Sequence, residues 1–320
     1  MSIDLNIEED NLESKPQPSN KTSKKQFLGN LGIHDIAREF TQFKTHHRVL
    51  AIPIGFPQAG KSVLLSSLMY YARKGPDTLF KINLLNDFPF DKGRLAADQM
   101  VDFFDKKQLY QTTVKGSLDL IGMDIQPNAD GLPTLNLAFL DLAGEDIKGI
   151  KTTEGAEFTD KINAVFNGMK VDKSPIVFIL ITPFEPARID NETLQNAHDR
   201  EDALHYDFLN YIKQNQPDLL DHSKFFVVVS QWDKNTNSKL SVEEFIETKR
   251  PSIFNYVKNS PVVWGEYSIG KLLESNIDGV QIQEIIRINF DYPSRFWKAM
   301  YKLCTNRSLE KRSFMDKLFG

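Results

Sequence analysis

The chain has 320 residues, 41% of them hydrophobic, a formal net charge of −4 and one cysteine. That length allows a sizeable buried core, the acidic balance excludes a nucleic-acid binder held by a basic field, and Cys304 alone excludes an internal disulfide framework and fits a reducing compartment. No apolar run approaches the roughly 20 residues of a membrane span, and Met1 to Gln26 has no signal-peptide core, so the expected location is cytoplasmic.

Residues 1–26 are acidic and then rich in Pro, Ser and Lys, the composition of a disordered tail. In Phe27 to His46, the spacing of Ile33, Ile36, Phe40 and Phe43 predicts a short amphipathic helix ahead of the first strand. It would pack on its own domain or dock a partner. Arg48 to Ile54 (RVLAIPI) reads as a buried strand and Val63 to Arg73 as a helix. Between them, Gly55-Phe56-Pro57-Gln58-Ala59-Gly60-Lys61-Ser62 is a full match to GxxxxGK[ST], the phosphate-binding loop. Its glycines let the backbone approach phosphates, and the amides of Gln58, Ala59, Gly60, Lys61, Ser62 and Val63 face the anion with the helix N-terminus. Lys61 would reach the β- and γ-phosphates, and the Ser62 hydroxyl would ligate Mg²⁺.

Lys74 to Gln111 shows no core strand; a turn, a loosely apolar stretch and a helix from Gly93 to Lys107 are expected there. Ser117 to Ile125 and Thr134 to Leu140, joined by the turn Asn128 to Gly131, form an antiparallel hairpin. A loop and helix come next (Gly144 to Met169), then a strand (Ile176 to Thr182), a helix (Ala197 to Asn215) and a strand (Lys224 to Ser230). A helix (Val242 to Val257), a strand (Val262 to Ser268) and a last helix (Pro293 to Cys304) complete the pattern. Continuous apolar strands alternating with helices imply a mostly parallel sheet covered on both faces. The expected organisation is a tail over 1–26, a helical extension over 27–46, a domain over 47–305 with an inserted helical segment at about 74–111, and an amphipathic segment over 306–320. That last segment is basic and would either cap the domain or touch a partner or membrane surface.

Two further sites end strands. Asp141-Leu142-Ala143-Gly144-Glu145 stands after the hairpin's second strand, where an Asp can hold the Mg²⁺ shell and the Gly amide can meet a γ-phosphate. DxxG is a common turn, and its meaning comes from its place downstream of the phosphate loop. Ser230-Gln231-Trp232-Asp233-Lys234 ends a later apolar strand.

This order of phosphate loop, hairpin, DxxG and strand-end Asp resembles the translation-factor-related (TRAFAC, Ras-like) class of P-loop GTPases, over about Arg48 to Cys304. The long stretch before the hairpin and the DLAGE wording resemble bacterial double-GTPase and related domains of multi-component conflict or signalling systems. The resemblance implies an α/β three-layer sandwich with one antiparallel hairpin strand, binding GTP and GDP with Mg²⁺, and protein partners such as a regulator or assembly components. It implies that Asp233 accepts hydrogen bonds from guanine. Ser230 and Gln231 depart from the usual [NT]K of that motif, and Gln231 stands where a Lys stem covers the base. Ser268 lies where a backbone amide meets the guanine oxygen. Thr112 or Thr113 would supply the γ-phosphate-sensing hydroxyl to the metal, or simply begin a strand. Glu145 replaces the water-positioning Gln and would orient water or pair with a basic neighbour. No Arg stands out as a finger, Arg73, Arg94 and Arg188 being the candidates, so slow hydrolysis is expected. Two rivals remain: an ATPase or kinase using the same loop, and a nucleotide-locked scaffold.

Overall fold

Every residue of Arg48–Ile54 (β1) is buried, and the reason lies in its neighbours. In the computed structural model, which describes residues 27–109, 115–150, 155–171, 173–236, 239–277 and 280–310, β1 is the middle of a seven-stranded sheet. The strands are Phe80–Leu84 (β2), Asp119–Pro127 (β3), Leu135–Asp141 (β4), Ile176–Pro183 (β5), Ser223–Ser230 (β6) and Val262–Glu266 (β7). Their order is β2-β3-β4-β1-β5-β6-β7. β1 is parallel to β4 and β5, and β6 is parallel to β5 and β7. Only β3 runs against the rest, antiparallel to both β2 and β4. The expected tail over 1–26, Thr112, Thr113 and residues 311–320 lie outside the described residues.

Strand alternation sends side chains into two cores. Leu50, Ile52 and Ile54 of β1 join the core beneath Ile33–Thr41 (α1), Ala156–Val171 (α5), Leu194–Asn215 (α6), Val242–Lys249 (α8) and Pro251–Val257 (α9). Val49 and Ala51 join the opposite core, under Lys61–Lys74 (α2), Asp91–Asp105 (α3) and Asp291–Thr305 (α10). Two short helices, Gly144–Lys148 (α4) and Pro217–Leu220 (α7), complete the set among the described residues. The result is the expected three-layer α/β architecture.

The amphipathic extension is shorter than its pattern. Within α1 and its flank, Ile36, Phe40 and Phe43 are buried in the first core, while Ile33 is exposed.

Three differences from the sequence reading have physical causes. First, β2 sits at the sheet edge and pairs only with β3, so its burial alternates rather than running unbroken. Second, the helix expected over Val242 to Val257 is two helices. Arg250 leaves helical geometry (φ −139°, ψ 54°) because the residue before a proline is pushed out of the helical region, and Pro251 starts α9. Third, Gly270–Ile277 (β8) and Val280–Ile288 (β9) form a separate antiparallel hairpin. Its ends are joined by the Asn289 amide donating to the Ile269 carbonyl at 3.1 Å, and the Ile285 amide donates to the Lys107 carbonyl at 2.9 Å.

Candidate functional site

β1, β4, β5, β6 and β7 are all parallel, so the turns leaving their C-terminal ends lie along one edge of the sheet. After β1 the chain moves to one side of the sheet, and only with β5 does it cross to the other. The β1–α2 turn therefore lies at the point where an open α/β sheet forms its ligand crevice. The phosphate-type loop, the DxxG turn and the strand-end Asp all sit along this edge.

The β1–α2 turn is Gly55 to Gly60. Gly60 has φ +92°, a conformation L side chains resist, and it is the N-cap of α2. Gln58 is exposed with φ +69°. Ala59 is buried and its amide donates to the Phe56 carbonyl at 3.0 Å. Ser62 and Val63 are half-buried at the start of α2. Lys61 is only 7% exposed, and its ammonium donates to the Gly55 carbonyl at 2.6 Å. Burial lowers the Lys61 pKa, and Asp141, Glu145, Glu201 and Asp146 oppose that shift by holding the charge.

Asp141 closes β4 and is buried. Gly144, opening α4, lies against the loop. A Cβ there would come within 2.6 Å of the Pro57 nitrogen and 2.8 Å of Lys61 Nζ, so only glycine lets the two turns touch. Glu145 is exposed. Its neighbour Asp146 is buried and accepts from the Gly116 amide at 2.7 Å, which ties α4 to the segment before β3. Burial raises the Asp146 pKa.

At the end of β6, the Ser230 hydroxyl donates to the Ala59 carbonyl at 2.8 Å. This residue, a departure from the usual motif, anchors the turn after β6 to the phosphate-type loop. Gln231 takes a left-handed conformation (φ +57°), and its Oε1 is enclosed with no partner among the described residues. Trp232 packs its ring against Phe184 and Phe245. Asp233 is exposed on the following turn. The Trp232 amide donates to the Tyr267 carbonyl at 3.0 Å, bringing the β7 end alongside. There Ser268 is buried and its hydroxyl accepts from the Gly270 amide at 3.2 Å. The Tyr267 hydroxyl is hydrogen-bonded to Ser67 of α2, closing a ring of contacts from α2 through β7 to β6 and back to the loop.

Of the arginine candidates, Arg73 pairs with Asp98 at 2.6 Å, and Arg94 approaches the same carboxylate at 3.7 Å. Sequence reasoning misses a polar stripe on α6. His198, Glu201, Asp202 and His205 are buried at spacings of three and four, on the helical face where apolar residues belong. His205 sets its ring edge-on to Phe56 of the loop, with centroids 5.2 Å apart. Charged residues interrupting an apolar face are the signal that could have found it. Arg250, fully buried, donates to the Thr182 hydroxyl at 2.7 Å, to His198 Nδ1 at 2.6 Å and to the Pro183 carbonyl at 3.2 Å. Burial brings the Arg250 pKa down to about 10.

No protein-family model matches the chain, and no curated protein matches it. Among solved structures it is similar to a dimerization-deficient mutant of Toc33 from Arabidopsis thaliana. The two share 13% identity at a TM-score of 0.36, over 86% of this chain and 93% of that one.

Proposed function

We propose that this chain binds GTP and GDP with Mg²⁺ at the β1–α2 loop, hydrolyses GTP slowly, and serves as a nucleotide switch in a multi-component bacterial signalling or conflict system. The observation that carries the reading is Lys61, buried between the Gly55 carbonyl and the Gly144 backbone at the foot of a left-handed glycine turn. Taking an ammonium out of water is costly unless a charge partner meets it, and phosphate is the partner that this loop geometry suits. Loop amides from Gln58 to Val63 and the Lys61 ammonium would hold the phosphates. Gly144, touching Lys61, would meet the γ-phosphate.

The Ser62 hydroxyl and the Asp141 carboxylate would hold Mg²⁺, with Thr112 or Thr113 as the further ligand the resemblance implies. Mg²⁺ normally takes one or two protein groups plus phosphate oxygens and water, so this donor set fits it. When bound, the metal neutralises charge on the β- and γ-phosphates. Asp233 reads the guanine donors, with Gln231 and the Ser268 backbone beside it. Lys61 offsets charge at the γ-phosphate, and Glu145 orients water or pairs with a basic neighbour. A protein partner supplies the missing charge stabilisation.

Equilibrium titration of the purified chain with labelled GTP, GDP and ATP, with and without Mg²⁺, tests this. Tighter binding of guanine nucleotides with Mg²⁺ is expected. Equal competition by ATP would favour the ATPase, binding without turnover would favour the locked scaffold, and no binding at all would overturn the reading.

A further inference from the structure

A carboxylate that no motif marks lies on α6, one helical turn before the histidine that packs on the loop. Glu201 of α6 is 3% exposed, and its Oε2 has no hydrogen-bond partner among the described residues. A buried, unpartnered carboxylate oxygen is costly and needs an explanation. The cations around it do not supply one. Arg200 approaches Glu201 Oε1 only at 4.0 Å. Its guanidinium is committed to Glu192, at 3.1 and 3.0 Å, and to the Ala187 carbonyl at 2.6 Å. Arg250 acts on Glu201 electrostatically but spends its donors on Thr182, His198 and backbone carbonyls. The remaining cation in its field is Lys61.

Two contacts bring the Gly144 turn and the Glu201 turn of α6 to the same loop residue, Phe56. Gly144 lies against Phe56, Pro57 and Lys61. His205, one helical turn after Glu201, lies against Phe56, and its Nδ1 is bonded to the Glu201 carbonyl at 2.9 Å. The Glu201 charge in turn acts on Lys61. Glu145, by contrast, is exposed on the five-residue helix α4, whereas Glu201 rides on a 22-residue helix packed into the core. A group that must hold one water in one orientation is better carried on the rigid element.

We propose that Glu201 is the water-orienting carboxylate of this site, taking the role that sequence position gives to Glu145. The inference rests on the nucleotide reading. The water oxygen bonds to the γ-phosphorus as the bond from that phosphorus to the β–γ bridging oxygen breaks. The electron pair stays on the departing diphosphate. Glu201 accepts the hydrogen bond from the water and takes its proton, then returns it to the released phosphate. Burial, which raises the Glu201 pKa, suits a carboxylate to that exchange.

The test compares wild type with Glu201→Gln, Glu201→Asp and Glu145→Gln in the full chain. It measures affinity for GDP, for a non-hydrolysable GTP analogue and for GDP with aluminium fluoride, together with the single-turnover rate. Glu201→Gln is expected to bind GDP and the analogue as wild type does. Its rate should fall by at least about tenfold, and its affinity for the aluminium fluoride complex by a similar factor, since positioned proton acceptors are typically worth 10²–10⁴. Glu145→Gln should lower the rate by less than Glu201→Gln does, and an equal or larger loss in Glu145→Gln would overturn the assignment. Should Glu201→Gln not fold, Glu201→Asp keeps the charge but withdraws it by one methylene, and should show the same split. A purely structural role would lower melting temperature or all affinities together, without singling out the aluminium fluoride complex. The proposal is overturned by an unchanged rate in Glu201→Gln, or by nucleotide-bound wild type that hydrolyses no faster than GTP in solution. Failure of wild type to bind nucleotide at all would instead remove the reading beneath it.

Discussion

Lys61 and Asp233 carry the two residue-scale expectations. Lys61→Ala removes a charge-assisted contact to phosphate worth ~1.5–3 kcal/mol, so nucleotide affinity should fall roughly tenfold or more by equilibrium titration. Unchanged affinity in a folded variant would refute the loop assignment. Asp233→Asn turns one acceptor oxygen into a donor, so GTP should bind more weakly and xanthosine triphosphate more tightly in competition assays. Asp233 is exposed on its turn, so the substitution leaves the core untouched and the comparison reports on the base alone. At this scale the sequence is legible where chemistry is local. The phosphate-type loop lies between a strand and a helix as its motif requires, because glycines and a lysine in that order leave the backbone few alternatives. Glu201 is illegible by the same logic: its meaning comes from a side chain 140 positions earlier, Lys61, which only the packing of α6 against the loop brings near.

Elements depend on how closely they approach one another, and Gly93 of α3 is the tightest case. A Cβ there would fall inside the Leu120 carbonyl of β3. Gly93→Ala is therefore expected to destabilise the fold by about 1–3 kcal/mol, the usual cost of overpacking a fitted core, despite alanine's better helix propensity. Urea denaturation would show it as a lowered midpoint, and an unchanged or higher midpoint would mean that α3 can slide off β3 freely. The central strands β1, β5 and β6 are readable as unbroken apolar runs because helices cover both their faces. β2 escapes that reading since Lys81 and Asn83 are both exposed on an edge strand. The β8–β9 hairpin escapes it because polar residues such as Glu274, Ser275, Gln281 and Gln283 interrupt its apolar positions, and it stands outside the main sheet. The break between α8 and α9 was available from Pro251, a local rule outweighed by a helical period that continues across it.

For the molecule as a whole, the buried imidazoles of α6 set an acid limit. Burial, reinforced by Arg250, brings His198 down from 6.5 to about 4, and burial does the same to His205. Both remain neutral in the folded protein until about pH 4, while the unfolded chain protonates them below about 6.5. The unfolded state thus binds more protons between these values, so stability present above pH 6.5 is lost as pH falls toward 4. By pH 5 the loss should be roughly 2 kcal/mol for each imidazole at the full shift. Denaturation curves at pH 7.5 and 5.0 would measure it, and His205→Leu should remove about half the slope. Equal stability at both pH values would show that these histidines are protonated in the fold.

The β8–β9 hairpin has a consequence at the level of the gene. Its two ends are one hydrogen bond apart, Asn289 to Ile269, so the polypeptide leaves the domain and re-enters it at almost the same place. Chain length can change at such a point without redirecting the last helix. Splicing Ile269 to Asn289 through a short glycine turn would forfeit mainly the burial of Ile285, about 1.5–3 kcal/mol, and would leave β7 and α10 in register. The cut would also unfasten Lys107, whose carbonyl the hairpin holds, and Lys107 leads directly into the stretch that bears Thr112 and Thr113. A shortened protein of this kind separates the scaffold that stands without the hairpin from the reach that the hairpin adds, and a reporter domain grafted in its place would sit between β7 and α10.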